Sequence, residues 1–264
     1  GVIGAYNGLR AYGLKNNSFS IPKAINLKDS QEFNSILKSL SISNIKILLT
    51  GKGRVGSGTK EVLDFLKIKE VSAHDFINKT YNQAVYVNID VLDYNYSDSI
   101  ENTVSNFYNY PEKFRSTFSK FLSVSDIYFA GHYHNPKAPK LITLDDIKSP
   151  DFNVQVIADI SCDIDGPIAS TIRPSTIENP TYGFHKERLV ECDFLDENAL
   201  AVMAVDNLPC ELPRDSSEMF GEMFLKYVIP SFFNNDQENI LKNSKITSEG
   251  SLTDRFSYLS DYIQ

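Results

Sequence analysis

The sequence predicts an α/β protein built on a doubly wound parallel sheet. Three observations predict it. Short β-branched or apolar runs alternate with helical patterns through the middle of the chain, the arrangement of a parallel sheet covered on both faces. A glycine-rich turn, Gly51 to Gly56, joins the first such run to the helix after it. Charge is uneven: residues 1–44 hold 5 basic and 2 acidic side chains (+3), and residues 206–264 hold 5 basic and 10 acidic (−5). These flanks belong together, outside the central sheet.

The elements follow in order. Residues 1–14 predict a helix with Gly4, Ala5 and Gly8 on a small face that needs packing partners, because each glycine costs about 1 kcal/mol against alanine. Residues 15–28 are polar, contain Pro22 and predict a loop. Asp29, with Glu32 three residues on, starts a helix carrying Phe33, Ile36, Leu37 and Leu40. Ile45 to Thr50 predicts a strand, and Thr59 to Leu66 a helix. Val71 and Val85 to Val87 predict short strands. Pro111 to Leu122 predicts a helix with Phe114, Phe118 and Phe121 inward. Ile127 to Ala130, Val154 to Ile160, Leu189 to Cys192 and Leu200 to Val205 predict further strands. Residues 213–229 predict one long helix with Met219, Phe220, Met223, Phe224 and Tyr227 apolar, followed by a polar tail.

Composition sets limits. Apolar residues make up 42% and charged residues 23% of 264, ordinary values for a globular protein and incompatible with disorder. No apolar run reaches the ~18 residues of a membrane helix. A net charge of −8 speaks against a nucleic-acid or anionic-membrane partner. Cys162, Cys192 and Cys210 are an odd number without CxxC spacing, which predicts a reducing, cytoplasmic setting and no zinc site. His132 and His134 alternate like metal ligands, but no third and fourth ligand is visible nearby, so no metal is expected.

Gly51, Gly53 and Gly56, with Arg54 and Val55 between them, form a GxGxxG that follows a strand and opens a helix. In that context the first glycine permits a tight turn, the second admits a pyrophosphate and the third lets helix and strand pack closely. The reading is a Rossmann-type dinucleotide site; the alternative is a ligand-free glycine-rich turn. A ribose-binding acid is expected about 20 residues on, where Asp75 is available. An acid there favours NAD over NADP without excluding NADP, although a solvated surface Asp fits as well. Asp159, Ser161 and Asp163 alternate past the end of a strand, so they would share a face if the strand continued. Asp206 ends another strand and would stand near the nicotinamide; turn chemistry before Pro209 is the alternative.

The segments from Asp159 to Ile168, from Ala204 to Gly221 and from Ala5 to Gly13 resemble lysine-forming saccharopine dehydrogenase and the lysine–ketoglutarate reductase half of the bifunctional lysine-degrading enzyme, in the alanine dehydrogenase/transhydrogenase superfamily. The resemblance implies two Rossmann-type domains, with the cofactor domain inserted in the chain. It divides this sequence into a linker helix and catalytic-domain remnant (1–44), a dinucleotide-binding domain (45–206) and a helix and tail returning to the catalytic domain (207–264). The implied reaction is saccharopine + NAD + water to lysine + 2-oxoglutarate + NADH, or its reverse. Asp163 and Asp206 would be catalytic-side residues, and Gly131, His132 and Tyr133 would line the cofactor edge along with Asp159. The family's catalytic Lys and His lie in an N-terminal domain, so a chain opening on Gly1 is expected to be an inactive fragment. The small face of the first helix and parts of 213–229 should then be exposed, forming a sticky patch or a homodimer. A non-catalytic dinucleotide-binding module and an alanine-dehydrogenase-type enzyme are the alternatives.

Overall fold

Helix α1 (Val2–Lys15) forms despite its glycines because the sheet supplies what they lack. Ile3, Ala5, Tyr6, Leu9 and Ala11 are all buried. A methyl group on Gly4 would stand 2.5 Å from the Ile160 side chain, and one on Gly8 would stand 2.5 Å from Phe129. The expectation that this small face is left exposed is therefore overturned: its partner is this chain's own sheet. Helix α2 (Ser30–Ser39) starts as expected, with the Asp29 carboxylate accepting from the N–H groups of Gln31 and Glu32, and it buries Phe33 and Leu37.

The computed structural model describes residues 1–263. Its sheet begins with β1 (Lys46–Thr50), which leads through α3 (Arg54–Phe65) to a two-residue strand β2 (Lys69–Glu70). Helix α4 (Ala73–Asn78) then connects to β3 (Val85–Ile89). Next come α5 (Val91–Tyr94), β4 (Asn95–Tyr96), α6 (Val104–Asn109), β5 (Arg115–Ser116) and α7 (Ser119–Leu122). The sheet resumes with β6 (Ile127–Ala130), α8 (Leu144–Lys148) and β7 (Val156–Asp159). It ends with β8 (Thr181–His185), β9 (Glu191–Cys192) and β10 (Ala199–Met203). The strand order is β2-β3-β1-β6-β7-β10-β8-β9. Strands β2 through β10 in that order run parallel, and β8 and β9 add an antiparallel edge. The architecture is Rossmann-like, and β8 adds a strand that the sequence pattern does not predict.

Both faces are covered, as a parallel sheet requires. Ile47, Leu49, Phe129, Ala158 and Met203 join α1, α2 and α3 in one core; Leu48, Val87, Tyr128, Ile157 and Val202 face the other, with Phe118, Phe121 and Ile147. One predicted helix is absent. Pro111 opens only a single 3₁₀ turn, Phe114 is extended, and Arg115–Ser116 pairs with β4 instead. Phe114, Phe118 and Phe121 are still buried, so burial rather than helical period placed them.

The chain divides into two units, residues 1–212 and 213 onward. The expected boundaries at 44/45 and 206/207 move because α1 packs on β6, β7, β10 and α3, and because residues 207–212 pack on α1. The second unit is not one long helix. Helix α9 (Pro213–Met223) widens into a π-helical turn over 224–228 and tightens into a 3₁₀ turn over 229–232. Helix α10 (Ile240–Ser244), a short hairpin of β11 (Thr247–Ser248) and β12 (Ser251–Leu252), and a 3₁₀ stretch over 254–262 complete it. Met219, Phe220 and Leu225 are exposed, and the Phe220 and Phe224 rings stack with centroids 5.8 Å apart.

Candidate functional site

The turn after β1 holds two closed glycines around an open one. Gly51 has φ +96°, a conformation costly for any residue with a Cβ, and a Cβ there would lie 2.4 Å from the Gly131 carbonyl oxygen. A Cβ on Gly56 would lie 1.9 Å from the Gly51 carbonyl oxygen, so α3 can approach the turn only with glycine at that position. Around Gly53 there is no atom within 4 Å of the same construction. Helix α3 starts at Arg54 with no side-chain cap and no acid in its first turn. Its leading N–H groups and the positive end of its dipole are thus left for an anion. Arg54 and Val55 are exposed beside them.

This turn sits at the point where the strand order reverses. β3 lies on one side of β1 and β6 on the other, and ligands of open α/β sheets bind at such a switch point. The Gly131 N–H donates to the Thr50 carbonyl, continuing the β1–β6 pairing beside Gly51. His132 turns inward: its Nδ1 is 2.8 Å from Thr50 Oγ1, which is 2.9 Å from the fully buried Tyr128 hydroxyl. Thr50 Oγ1 thus bridges the phenol and the imidazole, and the direction of the chain sets which ring nitrogen carries the proton. Burial, with His134 adding to it, pushes His132 down to about 4, so the ring stays neutral. Nε2 is buried without a partner among the described residues, and His132 lines a cavity of about 10 Å³, room for one water, with Asn95, Tyr94 and Tyr108. Tyr133, next along, is 80% exposed.

Asp75 does not follow the strand beside β1. It lies in the first turn of α4, after β2 in the chain and packed on β3, and pairs with Lys79 at 2.9 Å. The strand beside β1 is β3, with Ile89 opposite Thr50, and the residue that follows it is Asp90. Asp90 caps α5 by accepting from the Val91 N–H, and its other oxygen lies 3.7 Å from Lys52 Nζ within the glycine turn. Sequence reasoning missed Asp90 because β2, although earlier in the chain, is placed outside β3. The sequence signal was the longer apolar run Val85–Ile89 ending in an acid.

Asp159 also departs from expectation. Its strand stops there, and Ser161 folds back to donate its hydroxyl to Oδ1 at 2.6 Å. The Cys162 N–H reaches the same oxygen at 3.1 Å, and Thr171 Oγ1 donates to Oδ2 at 2.6 Å. The carboxylate is fully buried and ties its own loop together, and the strand does not continue to put it on one face with Asp163. Asp163 is exposed and borders an open cleft of about 470 Å³ with Tyr133, His134 and Lys140. Asp206 is exposed on the loop after β10. The Cys162 thiol is pushed up to about 11, first by burial and then by Asp159, Asp206 and Asp163, so the three carboxylates converge on one neighbourhood. Among the described residues no group of three or more His, Cys, Asp or Glu side chains could hold a metal ion.

Fold and turn together define a Rossmann-type domain with a glycine-rich turn between β1 and α3. Residues 42–257 match the family model described as alanine dehydrogenase/PNT, C-terminal domain, and the chain belongs to that family. Among curated proteins it is 25% identical over 253 residues to a mitochondrial alpha-aminoadipic semialdehyde synthase of Rattus norvegicus, covering 83% of this chain and 27% of that one. A 110-residue stretch, 41% of this chain and 28% of the other, is 30% identical to the saccharopine dehydrogenase [NAD(+), L-lysine-forming] of Emericella nidulans. A solved L-alanine dehydrogenase superposes with a TM-score of 0.52 at 11% identity, covering all of this chain and 62% of that one. The chain thus spans about a quarter of the length of these curated relatives. It is a dehydrogenase-type domain related to enzymes of lysine metabolism.

Proposed function

We propose that this chain binds NAD across the carboxyl ends of β3, β1 and β6 and serves an NAD-linked amino-acid oxidoreductase acting on saccharopine. The observation that carries the reading is the open space at Gly53 between two glycines that admit no Cβ, in front of an uncapped helix. The N–H groups of Arg54, Val55 and Gly56 would hold the pyrophosphate. Asp90, rather than Asp75, would accept from the adenosine ribose hydroxyls. Lys52 beside it leaves NADP open, since a cation tolerates a 2′-phosphate. The nicotinamide end would extend past Gly131 toward the cleft of Asp163 and the loop of Asp206.

Bound there, NAD would supply hydride acceptance, and the matching reaction is saccharopine + NAD + water to lysine + 2-oxoglutarate + NADH or its reverse. The chain's residues bind and orient: the glycine turn fixes the phosphates, and Asp206 and Asp163 fix the edge against which substrate is held. The three free cysteines favour a cytoplasmic setting. The test is titration of NADH into the protein with nucleotide fluorescence as readout, with NAD and NADP as competitors. Saturable binding displaced by NAD supports the reading. No binding of either nucleotide refutes it, and preference for NADP refutes the ribose role of Asp90. In the enzyme, Asp206→Ala should lower kcat/KM on the order of 100-fold, the cost of misplacing a reacting group by about 1 Å. Unchanged kcat/KM would confine Asp206 to its turn.

A further inference from the structure

Away from the nucleotide edge, a carboxyl and an amide meet between α1 and the 3₁₀ turn at 208–211. Asn7 Nδ2 donates to Glu211 Oε1 at 2.7 Å, linking residues 204 positions apart. The remaining polar atom of each group, Asn7 Oδ1 and Glu211 Oε2, is buried without a partner. Both residues are almost wholly inaccessible. Two orphaned acceptors on groups already joined by one hydrogen bond lack one thing between them, which is a proton.

We propose that Asn7 and Glu211 form a proton-operated latch between α1 and the 206–212 loop. With a proton on Oε2, the carboxyl donates to Asn7 Oδ1 while Oε1 accepts from Asn7 Nδ2, closing a two-bond ring. Without it, a carboxylate oxygen faces an amide oxygen in a dry site, and the ring opens. The groups around it leave the carboxyl about half protonated at neutral pH. From α1, Tyr6 donates its hydroxyl to the Pro22 carbonyl, and Arg10 spends Nε on the Ile21 carbonyl at 3.1 Å. The 3₁₀ turn at 24–26, also packed here, is Ala-Ile-Asn and has no titratable side chain; the adjacent Lys23 is bonded to the Glu178 carbonyl. Among the described residues Arg10 is the one cation acting on Glu211, and burial outweighs both it and the Asn7 bond, holding the carboxyl up at about 7. The loop so latched is the one that carries Asp206, four residues before Cys210, and the latch is independent of whether nucleotide binds.

A carboxyl raised in the folded state favours folding at low pH. The contribution is complete below the ordinary glutamate value of 4.5 and is lost as pH rises to about 7. Glu211→Gln reproduces the protonated ring, with its amide N–H₂ in place of the O–H, and does not titrate. The experiment is denaturant unfolding of the whole chain, wild type and Glu211→Gln, across this range. The ratio of their unfolding constants should rise by up to about tenfold per pH unit between 4.5 and 7 and level off above. Other titrating groups, His132 among them, contribute equally to both proteins and cancel. In parallel, the side-chain carboxyl carbon of Glu211 in ¹³C-glutamate-labelled wild type should titrate with a midpoint near 7. This second readout stands even if the variant does not fold. A midpoint near 4.5, or a ratio that does not change with pH, would overturn the latch.

Discussion

Strand β7 ends at an aspartate and β3 is followed by one, on the same edge of the sheet, and the two carboxylates have opposite fates. Asp159, after β7, is fully buried and receives three hydrogen bonds from its own loop. Asp90, after β3, is half-exposed, spends one oxygen on a helix cap and holds Lys52 loosely at 3.7 Å. Position at the carboxyl end of a parallel strand is therefore not sufficient to make a ligand group. What decides is whether the following loop folds back to supply donors, as Ser161 and Thr171 do, or leads into a helix that leaves an oxygen free.

That contrast is open to attack by substitution. Asp159→Ala should destabilise the protein most, by on the order of 3 kcal/mol, because it leaves buried donors unpaired; urea denaturation measures it, and a loss no larger than that of an exposed Asp would erase the distinction. A comparable effect is expected from pH at His132. Its value is depressed to about 4 in the folded protein from an ordinary 6.5, so its contribution is full above 6.5 and falls by up to about 3 kcal/mol as pH drops toward 4. Unfolding curves of His132→Gln should lack that slope. Asp90→Ala should cost about 1 kcal/mol of stability, the loss of a helix cap, and weaken NAD binding about 10- to 100-fold, the range for a hydrogen bond to a charged group. Asp75→Ala, at an exposed ion pair on an outer helix, should change NAD affinity least of all. Should Asp75→Ala weaken binding and Asp90→Ala not, the strand order would have been misapplied.

The same comparison explains what was legible in the sequence. The glycine turn was, because its requirements are steric and local: Gly51, Gly53 and Gly56 each meet atoms, or none, within a few residues or at the adjoining strand. The parallel strands were legible from their apolar runs, and α1 and the Asp29 cap from local pattern. The ribose acid proposed here was not, because its choice depends on which strand lies beside β1, and β2 and β3 exchange places relative to chain order. The fate of Asp159 was hidden for a related reason, since Thr171 lies 12 residues away around a loop. Aromatic spacing misled over 111–122, where Phe114, Phe118 and Phe121 reach the core from the end of a 3₁₀ turn, the N-cap of α7 and α7 itself. Small residues in α1 predicted close packing correctly and its partner wrongly, because composition carries no address.

The account rests on nucleotide phosphates lying against Gly53, and two valines placed three residues apart test it. Gly56→Val should fail to fold normally, since its side chain would enter the Gly51 carbonyl. Gly53→Val should fold, because that backbone is extended and the space beside it is empty. The decisive measurement is calorimetric titration of NAD into wild type and Gly53→Val, with their melting temperatures compared. The account predicts equal melting without ligand and binding at least about tenfold weaker in Gly53→Val, as a side chain occupies the phosphate position. Equal NAD affinity in the two proteins would contradict it.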